Sequence, residues 1–135
     1  MKKLILLGWL LLIFVGTCTE NLDAFLFEGE VRFDFTSVPD WTDIGMLGPE
    51  SHIRVRDVVG HYFMFSILTL LIYFVRRSLG STLFIVSGFA VLTEIAQRFF
   101  ARGTELYDLI ANFIGISVTL LTIWVIVLRL RRPSE

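Results

Sequence analysis

Asp57, His61, Glu94, Gln97, Arg102, Asp108 and Asn112 are polar side chains set in or beside long apolar runs. Their spacing pairs them. Asp57 and His61 are four apart, Glu94 and Gln97 three apart, and Asp108 and Asn112 four apart, with Gly115 continuing that stripe. On a helix, separations of three or four residues place side chains on one face. The residue types suit several kinds of chemistry. Histidine exchanges protons near neutral pH, and Glu94 or Asp57 could orient His61 as a general base. Arg102 could hold a phosphate or carboxylate through charge-assisted hydrogen bonds. His61, Glu94 and Asp108 are donor types a divalent metal uses, but their spacing matches no established metal motif, and no cofactor is expected.

Each residue alone has a plainer reading. Asp108 would serve as a cap or dipole partner at a helix start. Asn112 and Gln97 would be interhelical hydrogen-bond glue. His61 and Glu94 would pair to make helix packing specific. The set is read as a site because packing alone does not call for a histidine, several carboxylates and an arginine together.

The elements that position these residues follow from hydropathy. The chain has 135 residues, of which 55% are hydrophobic, and a mean hydropathy of +0.73. Soluble domains are about 45–50% apolar and spread those residues out. Here they are bunched into four blocks: Leu4 to Cys18, Val58 to Val75, Leu79 to Gln97 and Tyr107 to Leu128. Crossing a bilayer takes about 20 apolar residues, within a range of roughly 17–25. Backbone groups in lipid must be satisfied within the segment, and no barrel-like alternation is present, so each block is expected to be a helix. The fold class is therefore all-α, a polytopic bundle of four transmembrane helices.

Basic residues orient the bundle. Lys2, Lys3, Arg76, Arg77, Arg129, Arg131 and Arg132 fall on one side of four spans, and Arg32, Arg54, Arg56, Arg98 and Arg102 on the other. The loop on the second side carries Glu20, Asp23, Glu28, Glu30, Asp34, Asp40, Asp43, Glu50 and Asp57. The positive-inside rule puts the first side, with both termini, in the cytoplasm. The divisions expected are a first helix over 1–19, an extracytoplasmic loop over 20–56, a three-helix membrane unit over 57–128 and a basic tail over 129–135. Lys2, Lys3 and a stretch ending at Cys18 look like a lipoprotein signal, but Thr17 stands where such signals carry Gly, Ala or Ser; the segment is read as an uncleaved anchor. Within the loop, Glu28-Gly29 could turn a hairpin before the alternating Val31–Phe35, or Phe25, Phe27 and Trp41 could rest in the membrane interface. His52 is read as an ordinary loop histidine. The single cysteine excludes an internal disulfide and a multi-cysteine zinc site, and a net charge of -1 suggests no nucleic-acid partner.

This topology brings all seven polar residues to one depth, near the outer surface. Phe63, Phe65, Phe84, Phe99 and Phe100 are expected to contact lipid or fill the interior. Gly115-x-x-x-Thr119, and Ser87 with Ala90 on the Glu94 face, would let helices approach closely.

The ordered set Asp57-x-x-Gly60-His61-Tyr62-Phe63, Glu94-x-x-Gln97, Arg102, Asp108-x-x-x-Asn112 and Gly115 resembles the VanZ-like family of small bacterial membrane proteins. The likeness runs from Asp57 to about Leu128. Val58 stands where many members carry Lys, and Thr104 and Glu105 where members often carry a small hydroxyl residue. The resemblance implies a multi-pass protein of the bacterial cytoplasmic membrane. In some members it implies a link to lowered susceptibility to teicoplanin, an antibiotic aimed at the cell wall. It supplies no reaction.

Three functions are then in view. A non-catalytic envelope protein would use the polar pocket to bind a membrane lipid head group, or a lipid-linked or anionic cell-wall precursor. A membrane-embedded enzyme would use His61, Glu94 and Asp108 on a lipid head group. A proton or ion pathway would need ionisable groups through the whole membrane depth, and here they are confined to one end. Oligomeric state and membership of a larger complex stay open.

Overall fold

The computed structural model describes residues 1–39, 41, 44–45, 55–100 and 104–131. Among the described residues four α-helices form: α1 over Lys2–Cys18, α2 over Val55–Arg76, α3 over Leu79–Arg98 and α4 over Leu106–Arg131. Each contains one of the apolar blocks. α2, α3 and α4 are long and apolar enough to cross a membrane. α1 is shorter, at 17 residues.

Local signals set the helix ends. α2 stops where Arg77 takes a left-handed backbone, φ 55°, a conformation that costs a non-glycine residue about 1–2 kcal/mol. Its N–H still closes the last turn on the Tyr73 carbonyl at 2.8 Å. Ser78 then caps α3, its hydroxyl oxygen accepting from the Ser81 N–H at 3.4 Å. The reversal takes two residues, so α2 and α3 lie antiparallel.

Among the described helices, α2 and α4 pack most extensively and approach tightly. A Cβ built on Gly115 would stand 2.5 Å from the Tyr62 carbonyl oxygen, so no larger residue fits without moving a backbone. Ser66 Oγ donates to Tyr62 O at 2.8 Å and reaches Gly115 O at 3.4 Å across the same crossing. Beneath it lies the apolar core of Ile13, Phe65, Leu68, Ile72, Val86, Ala90 and Ile116. α1 docks on α2 through Trp9, whose indole N–H donates to the Met64 carbonyl at 3.0 Å. Phe84 and Phe63 face outward, whereas Phe65 is fully buried.

The segment after α1 differs from a hairpin. Ala24–Glu28 forms a π-helical turn that ends at Gly29 with φ 72°. Residues 30–36 form no helix and pair with no neighbouring strand among the described residues. They run instead across helix ends. The Glu20 N–H donates to Arg32 O at 2.8 Å, and the Thr36 N–H to Phe99 O at 2.8 Å. Phe33 and Phe35 pack on Phe100, which also meets Phe14 of α1 edge to face. Trp41 packs on Phe99. Among the described residues the fold departs from all-α only at a two-residue parallel pairing of β1 (Ile44–Gly45) with β2 (Thr104–Glu105). One end of the bundle, with the first turns of α2 and α4 and the last of α1 and α3, is thus strapped by the intervening chain; it is called the site end below, and the other the far end.

Candidate functional site

Antiparallel packing explains why charge collects at the site end. The N-termini of α2 and α4 and the C-terminus of α3 meet there. Helix N-termini favour anions and C-termini favour cations. Asp57 lies in the first turn of α2, Asp108 in that of α4, and Arg98 in the last turn of α3. Each is buried, as are His61, Glu94, Gln97 and Asn112.

The inner residues form a connected chain. His61 Nδ1 and Asn112 Oδ1 are 3.1 Å apart, and Asn112 Nδ2 donates to Glu94 Oε1 at 3.3 Å. Asn112 is fully buried and is the bridge. The Glu94 carboxylate decides how its amide is turned: only the NH2 can donate to it, which leaves Oδ1 to accept from the His61 Nδ1–H. The other ring nitrogen, Nε2, faces Asp108 Oδ2 at 3.6 Å. His61 Nδ1 stands 4.0 Å from Glu94 Oε1.

This geometry separates the possible metal ligands. Glu94 lies against Nδ1 and Asp108 against Nε2, on ring nitrogens that point apart. The three side chains do not converge on one point through His61. Among the described residues no group of three histidines, cysteines or carboxylates is arranged to hold a metal.

Six of the seven sequence-predicted residues meet at the site end; Arg102 lies outside the described residues, as do His52 and residues 132–135. Direct contact ties together His61, Glu94, Asp108 and Asn112. Asp57 is buried in the turn before His61, where its own hydrogen-bonding or electrostatic partner is made. Gln97 is 2% exposed, yet its Nε2 has no hydrogen-bond partner among the described residues. Such a buried donor costs about 1–3 kcal/mol.

Two features escaped the sequence reading. Arg98 was read only as a boundary cation, yet it is 7% exposed. Its spacing of four from Glu94 was the available signal. The end of α1 also closes the site end, with Thr17, Cys18 and Thr19 buried and Thr19 Oγ1 donating to Arg32 O at 3.2 Å. Block-length hydropathy carries no sign of that.

Sequence comparison adds two relatives. The chain is 31% identical over 124 residues to the uncharacterized membrane protein YwnJ of Bacillus subtilis (strain 168), covering 87% of this chain and 86% of that one. It is 35% identical over 80 residues to the uncharacterized protein C11E3.10 of Schizosaccharomyces pombe (strain 972), covering 54% of this chain and 49% of that one. No family model and no solved structure matches the chain.

Proposed function

The chain belongs to the family of the Bacillus subtilis membrane protein YwnJ, and from that premise we propose a multi-pass protein of the bacterial cytoplasmic membrane that binds a lipid head group at its outer face. That it is a membrane protein rests on this relative and on three helices able to cross a bilayer. The proposal adds α1 as a fourth span, both termini in the cytoplasm and the site end outside. The distribution of Lys and Arg supports that orientation. It also extends the kinship to the VanZ-like proteins, on the ordered residues from Asp57 to Gly115.

One observation carries the functional reading: side chains from three helices are buried together as His61–Asn112–Glu94, with Asp108 on the remaining ring nitrogen. A charged side chain within a span costs about 2.5–3.5 kcal/mol at the helix centre and marks function by default. In this reading the carboxylates of the cluster meet a head-group amine and the Gln97 amide meets its phosphate. The similarity to a fungal protein favours a membrane lipid, common to both kinds of cell, over a precursor confined to bacterial walls.

A catalytic version has its own support. His61 Nε2 and Asp108 Oδ2 are 3.6 Å apart, too far for an ordinary hydrogen bond and near enough to close on a shared proton. His61 would then be the general base acting on a bound head group.

The test is a deletion strain complemented with wild type, His61→Ala or Gln97→Leu, scored for growth with teicoplanin and other envelope stresses. The proposal expects each variant to insert normally and fail to complement. Full complementation by His61→Ala at normal expression would sink it. Head-group conversion of added phospholipid by the purified protein, lost in His61→Ala, would decide for the enzyme.

A further inference from the structure

A second pocket lies at the far end, between α1 and α2, and no part of the polar cluster reaches it. It encloses about 310 Å³ and is lined by Lys2, Ile5, Leu71, Phe74 and Arg77. Two cations from two helices flank an apolar trough. Arg77 follows the last turn of α2 with a left-handed backbone. Its guanidinium lies 5.4 Å from the centroid of the Phe74 ring. No carboxylate among the described residues sits at this end: Glu20 through Asp34, Asp57, Glu94, Glu105 and Asp108 all belong to the site end or its strap. The two cations therefore face no acidic partner from the elements that form the pocket.

We infer that this pocket binds an anionic phospholipid, with the phosphate between Lys2 and Arg77 and the start of an acyl chain against Ile5, Leu71 and Phe74. The chemistry is complementary on both counts. An arginine presents a fork of donors that suits phosphate oxygens, and lysine adds a point charge. Basic pockets between membrane helices commonly hold lipid phosphates. The apolar wall is what a free phosphate cannot use. The position is also right, because helix ends meet the head-group layer. The inference is independent of what the polar cluster binds and of which face is cytoplasmic.

Lys3 and Arg76 provide the control, since each neighbours a lining residue but does not line the pocket. The full-length protein, purified in a neutral detergent, is incubated with phosphatidylglycerol or phosphatidylcholine, and bound lipid is counted by native mass spectrometry. The expected result is at least fivefold preference for phosphatidylglycerol, lost in Lys2→Gln/Arg77→Asn and kept in Lys3→Gln/Arg76→Gln, which removes the same charge. Millimolar inorganic phosphate should not displace the lipid. Asparagine at 77 tolerates the left-handed backbone, and circular dichroism checks the fold. Equal binding of the two lipids, equal loss in both double variants, or displacement by free phosphate would overturn the inference.

Discussion

The two ends of the bundle are built from the same helices and spend their polar residues in opposite ways. At the site end, charged and amide side chains turn inward and are buried against one another. At the far end Lys2, Lys3, Arg76, Arg77 and Arg129 all lie exposed at the surface. Thr69 and Thr82, buried deeper in the bundle there, are satisfied locally: Thr69 Oγ1 donates to Phe65 O at 2.6 Å and Thr82 Oγ1 to Ser78 O at 2.7 Å, each within its own helix. The far end solves a solvation problem locally. The site end solves it only through contacts between helices. An arrangement that needs three helices in register is the one expected to carry function.

That contrast can be broken by mutation. The largest effect should come from Asn112→Ala, which removes the bridge. His61 and Glu94 would each lose a buried partner, at roughly 1–3 kcal/mol apiece, for about 4 kcal/mol in all. Equilibrium unfolding in mixed micelles reads this directly.

Gly115→Ala should follow, at about 3 kcal/mol, because its Cβ would collide with the Tyr62 backbone and force α2 from α4. Gly88→Ala sharpens the comparison. A Cβ there meets nothing, so the same substitution should be neutral or stabilise by up to about 1 kcal/mol. A thermal unfolding series on both variants ranks them.

Phe100→Ala deletes ring contacts to Phe14, Phe33 and Phe35. At about 0.5–1.5 kcal/mol per pair, the strap should loosen by about 2 kcal/mol and be cut faster by protease within residues 30–36, with the helices intact. The smallest effect should be at Thr69→Val, within about 0.5 kcal/mol, because its hydroxyl serves only its own helix. A large loss there would erase the distinction between the two ends.

Much of this was legible in the sequence, and the limit has a physical cause. Hydropathy blocks located four helices to within a few residues, since length and apolarity are properties of a segment. α2 begins at Val55, earlier than the apolar run at Val58, because a helix start admits Arg56 and Asp57 where the hydropathy block does not. The spacing of Asp57 and His61, Glu94 and Gln97, and Asp108 and Asn112 revealed which residues share a face. It could not reveal how each helix is rotated about its axis. Hence the bridging role of Asn112 and the burial of Arg98 emerged only from packing. The strap was harder still: Val31–Phe35 alternates like a strand, but its partners are helix ends distant in sequence, and alternation says nothing about what lies alongside.

The buried cluster depends on His61 and Asn112 interacting inside the folded protein, and a double-mutant cycle measures that interaction. Unfolding free energies of wild type, His61→Ala, Asn112→Ala and the double variant should give a coupling of about 1 kcal/mol or more, as expected for residues in one buried hydrogen-bond network. Additivity within about 0.3 kcal/mol, the behaviour of residues that do not touch, would contradict the buried cluster.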